Sequence, residues 1–526
     1  MGLRQADGKG RAGGAASVTI AAAGSRKAQP ATTDAASTAQ DAERERVMSQ
    51  KNNTVDVANL LETDSERRKR FSTLDGGWRL DYAGFPLTRA AREGLLGLTD
   101  STDLAEAVRA LFSAAIVNPS ENQPALHMSL RAATPDPDLI DQRGRFLDLA
   151  DDLHAGRQGL TDVLHIGIGG SDLGPRLVAD ALDAFDGHAR VHWLSTMDGR
   201  RFEQLTRQLD PSRTGLVVAS KSFGTEETLT LARAARAWMG DGFTERSWAS
   251  TARRDRAVEF GMAPERVLEF PGWVGGRFSL WSSVGVSAAA VIGRARFEQM
   301  LAGARQADRR FREHPDARSL AVMLALLMHY LRRGLDLPTL GVVSYEPRLA
   351  LLGDYLQQLI MESLGKGVDR NDRPVDQPTA PLIFGGRGTD LQHSIFQALH
   401  QGPETHPLLL VGSLADDHAY PEWHRAQLSH LLAQARALTQ GRSDGAAFQR
   451  LPGNRPVALL LTERLTPEGL GYLLASFEHA VYALAVFWGI NAFDQWGVEE
   501  GKRLAAQIRQ RLDRAPPSLE NLTVEP

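Results

Sequence analysis

From about residue 160 the chain alternates short apolar runs with amphipathic stretches of helical length, and this alternation limits the fold more than any other feature. "TDVLHIGIGG" reads as a strand ending in glycines. "DLGPRLVADALDAF" follows as a helix with Leu173, Leu177, Ala181 and Phe185 on one face. "RVHWLST", "TGLVVAS" and "RVLEFP" read as further strands, separated by the helical "RFEQLTRQL" and "EETLTLARAARAWM". A second set runs from about 320 to 500. Its strands are "LPTLGVVSY", "APLIFGG", "HPLLLVGS" and "RPVALLLT". Its helices are "RLALLGDYLQQLIMESLG", "DLQHSIFQALHQ" and "TPEGLGYLLASFEHAVYALAVFWG". Strand–helix alternation of this length predicts βαβ units and parallel sheets. The expected class is α/β: two domains, each a doubly wound parallel sheet flanked by helices in three layers, over 156–300 and 301–505. Ligands in such sheets bind beyond the carboxyl ends of the strands.

Outside these sets the signals are weaker. Residues 48–155 are expected to be mostly helical, including "RFSTLDGGWRLDYAG" and "TDLAEAVRALFSAAIVN". Residues 1–47 have almost no large apolar side chains and cannot offset their ordering entropy. They are expected to be disordered, with Met48 a plausible start, and 506–526 is expected to be a tail. The first fifty residues lack the apolar stretch of a secretory signal. The apolar run Tyr472–Ile490 is interrupted by Glu478 and His479, which predicts a buried core helix rather than a membrane span.

Composition narrows the chemistry. The chain has 526 residues, a net charge of −4 and no cysteine. Thiolate chemistry, disulfides and iron–sulfur clusters are excluded, and no basic excess points to nucleic acid. Arginine greatly outnumbers lysine. After Lys69 only Lys221, Lys366 and Lys502 occur, all in glycine- or hydroxyl-rich segments. A lysine kept among arginines suggests a need for a compact ammonium or a tunable pKa.

"GIGGSDLGP" (Gly167–Pro175) joins a strand to a helix. It lacks the Lys of a P-loop, and Asp172 stands where a dinucleotide fingerprint needs its third glycine. A helix N-terminus still attracts anions, and bare glycines admit a ligand. Gly170 and Ser171 are candidates; a tight turn capped by Ser171 is the alternative. "SKSFGTEETLTLA" places Ser220, Ser222, Thr225 and Thr228 beside Lys221 at a helix start. One helix cap does not need four hydroxyls, so a phosphate dianion is favoured. "GGRFSLWSSVG" offers Arg277 for an oxyanion, or merely a surface arginine. "GDYLQQLIMESLGKG" puts Gln358 and Glu362 four apart on a helix, where Glu362 can serve as a general base or be an ordinary solvated helix-end glutamate. "GTDLQHSIFQALHQG" carries His393 in its first turn and His400 further on. No metal-ligand spacing accompanies them, so a lone acid–base or donor histidine is expected, with His400 structural. "FDQWGVEEGKRLA" holds Gln495 and Lys502.

These stretches, in this order, resemble the glucose-6-phosphate isomerase (phosphoglucose isomerase) family, as does the upstream "NPSENQPALH". The likeness spans about Asn118 to Ala505. It implies a sugar-phosphate substrate, no cofactor, no metal and a cytoplasmic homodimer with neither nucleic acid nor membrane as partner. It also implies roles. Ser220, Ser222, Thr225 and Thr228, with backbone near Lys221, hold the phosphate. Gly170 and Ser171 line the sugar pocket. His393, reaching in from the partner chain, helps open the ring, with Lys502 on the other side. Glu362 moves a proton between C2 and C1, Arg277 stabilises the enediolate, and Gln358 and Gln495 complete the pocket. Three positions depart from the family's usual residues. Leu364 stands for a common Asn, Gly224 for a hydroxyl residue, and Gln123-Pro124 for an Arg-containing pattern. A non-catalytic sugar-phosphate sensor is the competing reading; it would need the phosphate site but not Glu362. An isomerase with wider epimer tolerance is a third.

Overall fold

The computed structural model describes residues 55–157 and 159–513. The expectation for 1–47 falls outside them, as do residues 514–526 of the expected tail, whereas 506–512 continue the helix Glu499–Leu512 rather than belonging to a tail. Two sheets carry the architecture. The first is wholly parallel, in the order β4 (Arg190–Leu194), β3 (Asp162–Ile166), β5 (Thr214–Ala219), β6 (Ser247–Thr251), β7 (Val267–Glu269). Every residue of β3 and β5 is buried, as a parallel strand covered on both faces requires. β6, "SWAST", has too little apolar character to be read as a strand from sequence, yet it is buried throughout.

The second sheet is mixed. β8 (Thr339–Ser344), β9 (Leu382–Arg387), β10 (Leu408–Ser413) and β11 (Val457–Thr462) are parallel. A hairpin, β1 (Ser72–Asp75) and β2 (Trp78–Gly84), extends it by antiparallel pairing of β2 with β11. This corrects the helical reading of "RFSTLDGGWRLDYAG". Gly76 and Gly77 both have positive φ, +56° and +78°, the conformation of the tight two-residue turn that joins twisted strands. Trp78, Leu80 and Tyr82 alternate inward and are buried.

Three helix expectations also change. The helix after β3 is Leu173–Leu182, and Phe185 lies beyond it, exposed and at positive φ rather than on its apolar face. "DLQHSIFQALHQ" divides into Gly388–Gln392 and Phe396–Gln401, leaving His393 at the end of the first piece instead of in its opening turn. The segment carrying Gln358 and Glu362 is α-helical over Leu352–Leu356 and then widens into a π-helix over Gln357–Glu362. Such widenings recur at functional sites.

The apolar helix Pro467–Trp488 is a core element, as expected. It crosses Arg294–Glu313 so closely that a Cβ on Gly471 would meet the Met300 carbonyl oxygen at 1.9 Å. Its two polar interruptions are paired. Glu478 accepts from Arg131 and from the Trp281 indole at 2.7 Å, and His479 meets Asp308 at 2.7 Å. Arg131 also pairs with Asp308 at 2.6 Å. Burial raises the Asp308 carboxyl, but Arg131 beside it overrides that and holds it at about 2. Through Trp281 this buried network anchors the turn that carries Arg277.

Two buried histidines set an acid limit. Burial pulls His165 down from 6.5 to about 4, and His329 likewise, with Arg333 adding to the effect there. Below about pH 6.5 the unfolded chain takes up protons that these folded imidazoles refuse. Their share of stability is therefore present above about 6.5 and lost as pH falls towards 4. His329 Nδ1 accepts from the Trp488 indole at 3.1 Å, a contact that a glutamine oxygen can keep. Melting temperature should fall over this interval, and less steeply in His329→Gln. Equal slopes for the two proteins would contradict the assignment.

Candidate active site

The carboxyl ends of β3 and β5 and the segment after β7 open into one cavity of about 560 Å³, the size of a small-ligand site. Of the thirteen candidates from sequence, the pocket lining includes Gly170, Ser171, Ser220, Lys221, Ser222, Thr225, Thr228, Arg277, Gln358, Glu362, Gln495 and Lys502. It does not include His393, which is exposed elsewhere on the chain.

The glycine turn after β3 exists partly for backbone contact. A Cβ on Gly170 would lie 2.0 Å from the Gly276 carbonyl oxygen, so the turn and the Arg277 segment touch main chain to main chain. Gly169 has φ +59°, and a Cβ there would crowd the Gln358 amide at 2.8 Å. The Ser171 carbonyl accepts from or faces His165 Nε2 at 2.8 Å; a neutral imidazole can donate there while its Nδ1 meets the Ser287 hydroxyl at 2.8 Å. Asp172, not Ser171, stands at the helix cap position, which leaves the Ser171 hydroxyl for the pocket.

The segment after β5 is a hydroxyl cradle. Thr225 occupies the N-cap position of Glu226–Met239 but accepts no bond from that helix. Its hydroxyl lies 3.3 Å from that of Ser220. Thr228 is 1% exposed and its hydroxyl has no partner among the described residues. A buried hydroxyl without a partner is costly, so a ligand oxygen is its natural complement. Phe223, buried between Ser222 and Gly224, is held at φ +43°, the kind of backbone strain found at ligand clamps. Burial lowers the Lys221 ammonium pKa, while Glu121 acts to raise it. At Gly224 a side chain would press on the flexible end of Arg256 at 3.0 Å and lie in ordinary contact with Ser222 at 3.6 Å.

Across the cavity Arg277 is buried and fixed, not a surface arginine. Its Nε donates to Ser363 Oγ at 2.6 Å and Nη1 to Gln495 Oε1 at 2.9 Å. Its Nη2 donates to the carbonyls of Ala492 and Asp494, at 2.6 and 3.1 Å. Burial lowers the guanidinium pKa, opposed first by Glu362, and an arginine so placed stays charged. The Glu362 carboxylate stands 3.6 Å from Nη1 with its side chain 23% exposed, so it is open to the cavity. A fixed cation and a reachable carboxylate thus face the hydroxyl cradle. Lys502 sits at the rim on Glu499–Leu512, paired with Glu499 at 2.6 Å. His400, read as structural, meets Gln434 at 2.8 Å and does not line the cavity.

The sequence offered no site role for Glu121, Gln123, His127, Trp273 or Glu499, which also line the cavity. Gln123, one of the departures, donates to Glu121 at 2.5 Å, as does Asn118 at 2.8 Å. The signal for Glu121, Gln123 and His127 was "NPSENQPALH", a polar, proline-flanked segment between helices, and Glu499 lies within "FDQWGVEEGKRLA". Leu364, another departure, is fully buried and takes no part in the lining.

The sequence profile described as Phosphoglucose isomerase matches residues 81–519. A glucose-6-phosphate isomerase of Xanthomonas axonopodis pv. citri (strain 306) is 42% identical over 85% of this chain and 90% of its own length. One from Stenotrophomonas maltophilia (strain R551-3) is 42% identical over 86% and 91%. A crystal structure of a glucose-6-phosphate isomerase from Chlamydia trachomatis superposes with a TM-score of 0.81, at 30% identity over 90% of this chain and 96% of that one.

The cradle generates a specific expectation. Thr228→Val keeps the shape and deletes the orphaned hydroxyl. Hydrogen bonds to a charged group are worth about 1.5–3 kcal/mol, so inorganic phosphate, titrated calorimetrically, should bind roughly 10–100-fold more weakly. The melting temperature without ligand should hold or rise. Unchanged phosphate affinity would remove Thr228 from the site.

Proposed function

We infer the roles of these residues from one premise: the chain belongs to the phosphoglucose isomerase family and interconverts glucose 6-phosphate and fructose 6-phosphate, a step of glycolysis and gluconeogenesis. The observation that carries the roles is the pairing of a cavity carboxylate, Glu362, with a buried cation, Arg277, 3.6 Å away. The substrate phosphate binds in the cradle of Ser220, Ser222, Thr225 and Thr228 at the start of Glu226–Met239, where helix N–H groups and Lys221 favour a dianion. That end of the substrate is then fixed, and the sugar extends across Gly170 and Ser171 towards Arg277.

The chemistry follows from an open-chain aldose. Ring opening moves a proton from O1 and delivers one to the ring oxygen, work assigned to His393 and Lys502. Glu362 then takes the proton from C2, and the electron pair flows to the C1 carbonyl, leaving a cis-enediolate. Arg277 faces that developing charge and is already held by four hydrogen bonds, so it needs no reorganisation. The hydroxyl proton passes from O2 to O1, and Glu362 returns its proton to C1, giving the C2 ketone. Gln358 and Gln495 fix the sugar and the arginine. Retention of the base argues against a sugar-phosphate sensor, which would have no use for it. A phosphorylated sugar is charged and does not cross membranes unaided, which supports a cytoplasmic setting.

The active unit is a homodimer in which His393 serves the partner's pocket. Three facts support this. The chain's own cavity lacks any contribution from His393, and that residue is exposed. The helix Glu499–Leu512, which brings Lys502, leaves Leu504, Ile508 and Leu512 uncovered. A two-fold interface exchanges any crossing residue reciprocally. Mixed dimers of one Glu362→Gln chain and one His393→Ala chain, separated by different tags, test both roles together. Each parent homodimer should lose at least about 10²-fold in turnover. The mixed dimer should recover about half of wild-type activity, because one site receives both lesions and the other neither. A mixed dimer no more active than its parents would show that His393 serves its own chain. Near-normal turnover of the Glu362→Gln parent would remove Glu362 as the base.

A further inference from the structure

Lys366 is the one lysine of the sparse set beyond Lys69 that does not line the cavity. It is nevertheless well buried, with its side chain 12% exposed. An ammonium has three N–H donors, and here it has three acceptors. Nζ donates to the Glu362 carbonyl at 2.9 Å and to the Asp494 carbonyl at 2.5 Å, and it pairs with Asp494 Oδ1 at 2.9 Å. The first acceptor belongs to the last residue of the π-helix, the residue that bears the catalytic carboxylate. The other two belong to the loop that delivers Gln495 and two carbonyls to Arg277.

That loop is itself pinned from the far side. Asp494 Oδ2 accepts from the Ser120 hydroxyl at 2.5 Å and from Asn491 at 2.8 Å, and Asn491 also donates to Asn118 at 2.9 Å. A continuous chain of polar contacts therefore runs from Asn118 and Ser120 through Asp494 and Lys366 to the main chain of Glu362. Arg277 touches the same loop and, through Ser363, the same helix end. Without Lys366, the helix end and the loop would keep Arg277 as a shared partner but lose the direct bond between them.

We propose that Lys366 is a positioning residue for proton transfer: by joining the end of the Glu362 helix to the 491–495 loop, it holds the carboxylate in register with Arg277. The proposal rests on Glu362 being the base. Misplacing a reacting group by about 1 Å can cost on the order of 10²-fold in rate, whereas phosphate capture in the distant cradle does not depend on this joint. Lysine suits the position because three acceptors converge on one atom, and the planar fork of arginine cannot reproduce that point.

The test uses the full chain with Lys366→Met and Lys366→Arg. In Lys366→Met, kcat should fall about 10–100-fold, while KM and the inhibition constant of inorganic phosphate stay within about twofold. Lys366→Arg, which keeps the charge, should recover part of kcat. A role in stability alone would lower the melting temperature and leave kcat of the folded protein intact, and that result would overturn the proposal. So would a rise in KM and in the phosphate inhibition constant with kcat unchanged. If Lys366→Met does not fold, Lys366→Arg decides: reduced kcat with unchanged phosphate inhibition supports the proposal, and wild-type kcat overturns it. Glu362→Gln separates the two claims. If that variant is inactive while Lys366→Met turns over normally, only the positioning claim fails; if Glu362→Gln is active, the base assignment fails and this proposal with it.

Discussion

The site depends on one buried guanidinium. Arg277 ties the widened helix end at Ser363 to the 492–495 loop, and it faces the Glu362 carboxylate. A buried charge is expensive unless it is paired and fully hydrogen-bonded. The pocket meets that condition by bringing two carbonyls, a hydroxyl, an amide oxygen and a carboxylate to one side chain. The same demand fixes the geometry: segments more than two hundred residues apart must converge for the arginine to be satisfied. Behind it, the turn carrying Arg277 is held by Trp281, whose indole donates to the buried Glu478.

In the function proposed above, the glycine turn and the hydroxyl cradle take complementary ends of one substrate. Gly170 lets the first sheet's turn touch the Arg277 segment main chain to main chain. The cradle lies at the start of a helix and holds hydroxyls that the fold leaves without an internal use, Thr228 above all. On that proposal, binding energy from the phosphate positions the distant carbons over Glu362, which is how a non-reacting part of a substrate contributes to rate.

Much of this was legible because parallel strands buried on both faces leave plain apolar runs, and β3, β5, β8, β10 and β11 all stand out, while the edge strand β9 was read from the apolar start of "APLIFGG". The helix Glu226–Met239 coincides with its sequence pattern. Where the pattern misled, packing had overridden it. β6 owes its strand to its neighbours, since "SWAST" has little apolar signal of its own. The β1–β2 hairpin did carry a signal, paired glycines between alternating residues, but the surrounding helices obscured it. The widening at Gln357–Glu362 leaves no mark in sequence, because six residues are too few for the wider turn to show in the spacing of apolar residues. Twelve of the thirteen candidate site residues converge on the cavity. Glu121 and Glu499 were missed because an exposed-looking glutamate is indistinguishable, by type alone, from a solvated one. Arg277 shows the reverse: unremarkable as a residue, it becomes the centre of the pocket only once its buried partners are known.

The most direct measurement is the turnover of Arg277→Lys. A lysine keeps the positive charge but cannot span Ser363, Gln495 and the two loop carbonyls at once. If a preorganised guanidinium stabilises the enediolate, kcat should fall by at least about 10²-fold, with inorganic phosphate still bound at wild-type affinity. A folded Arg277→Lys enzyme with near wild-type kcat would contradict the account.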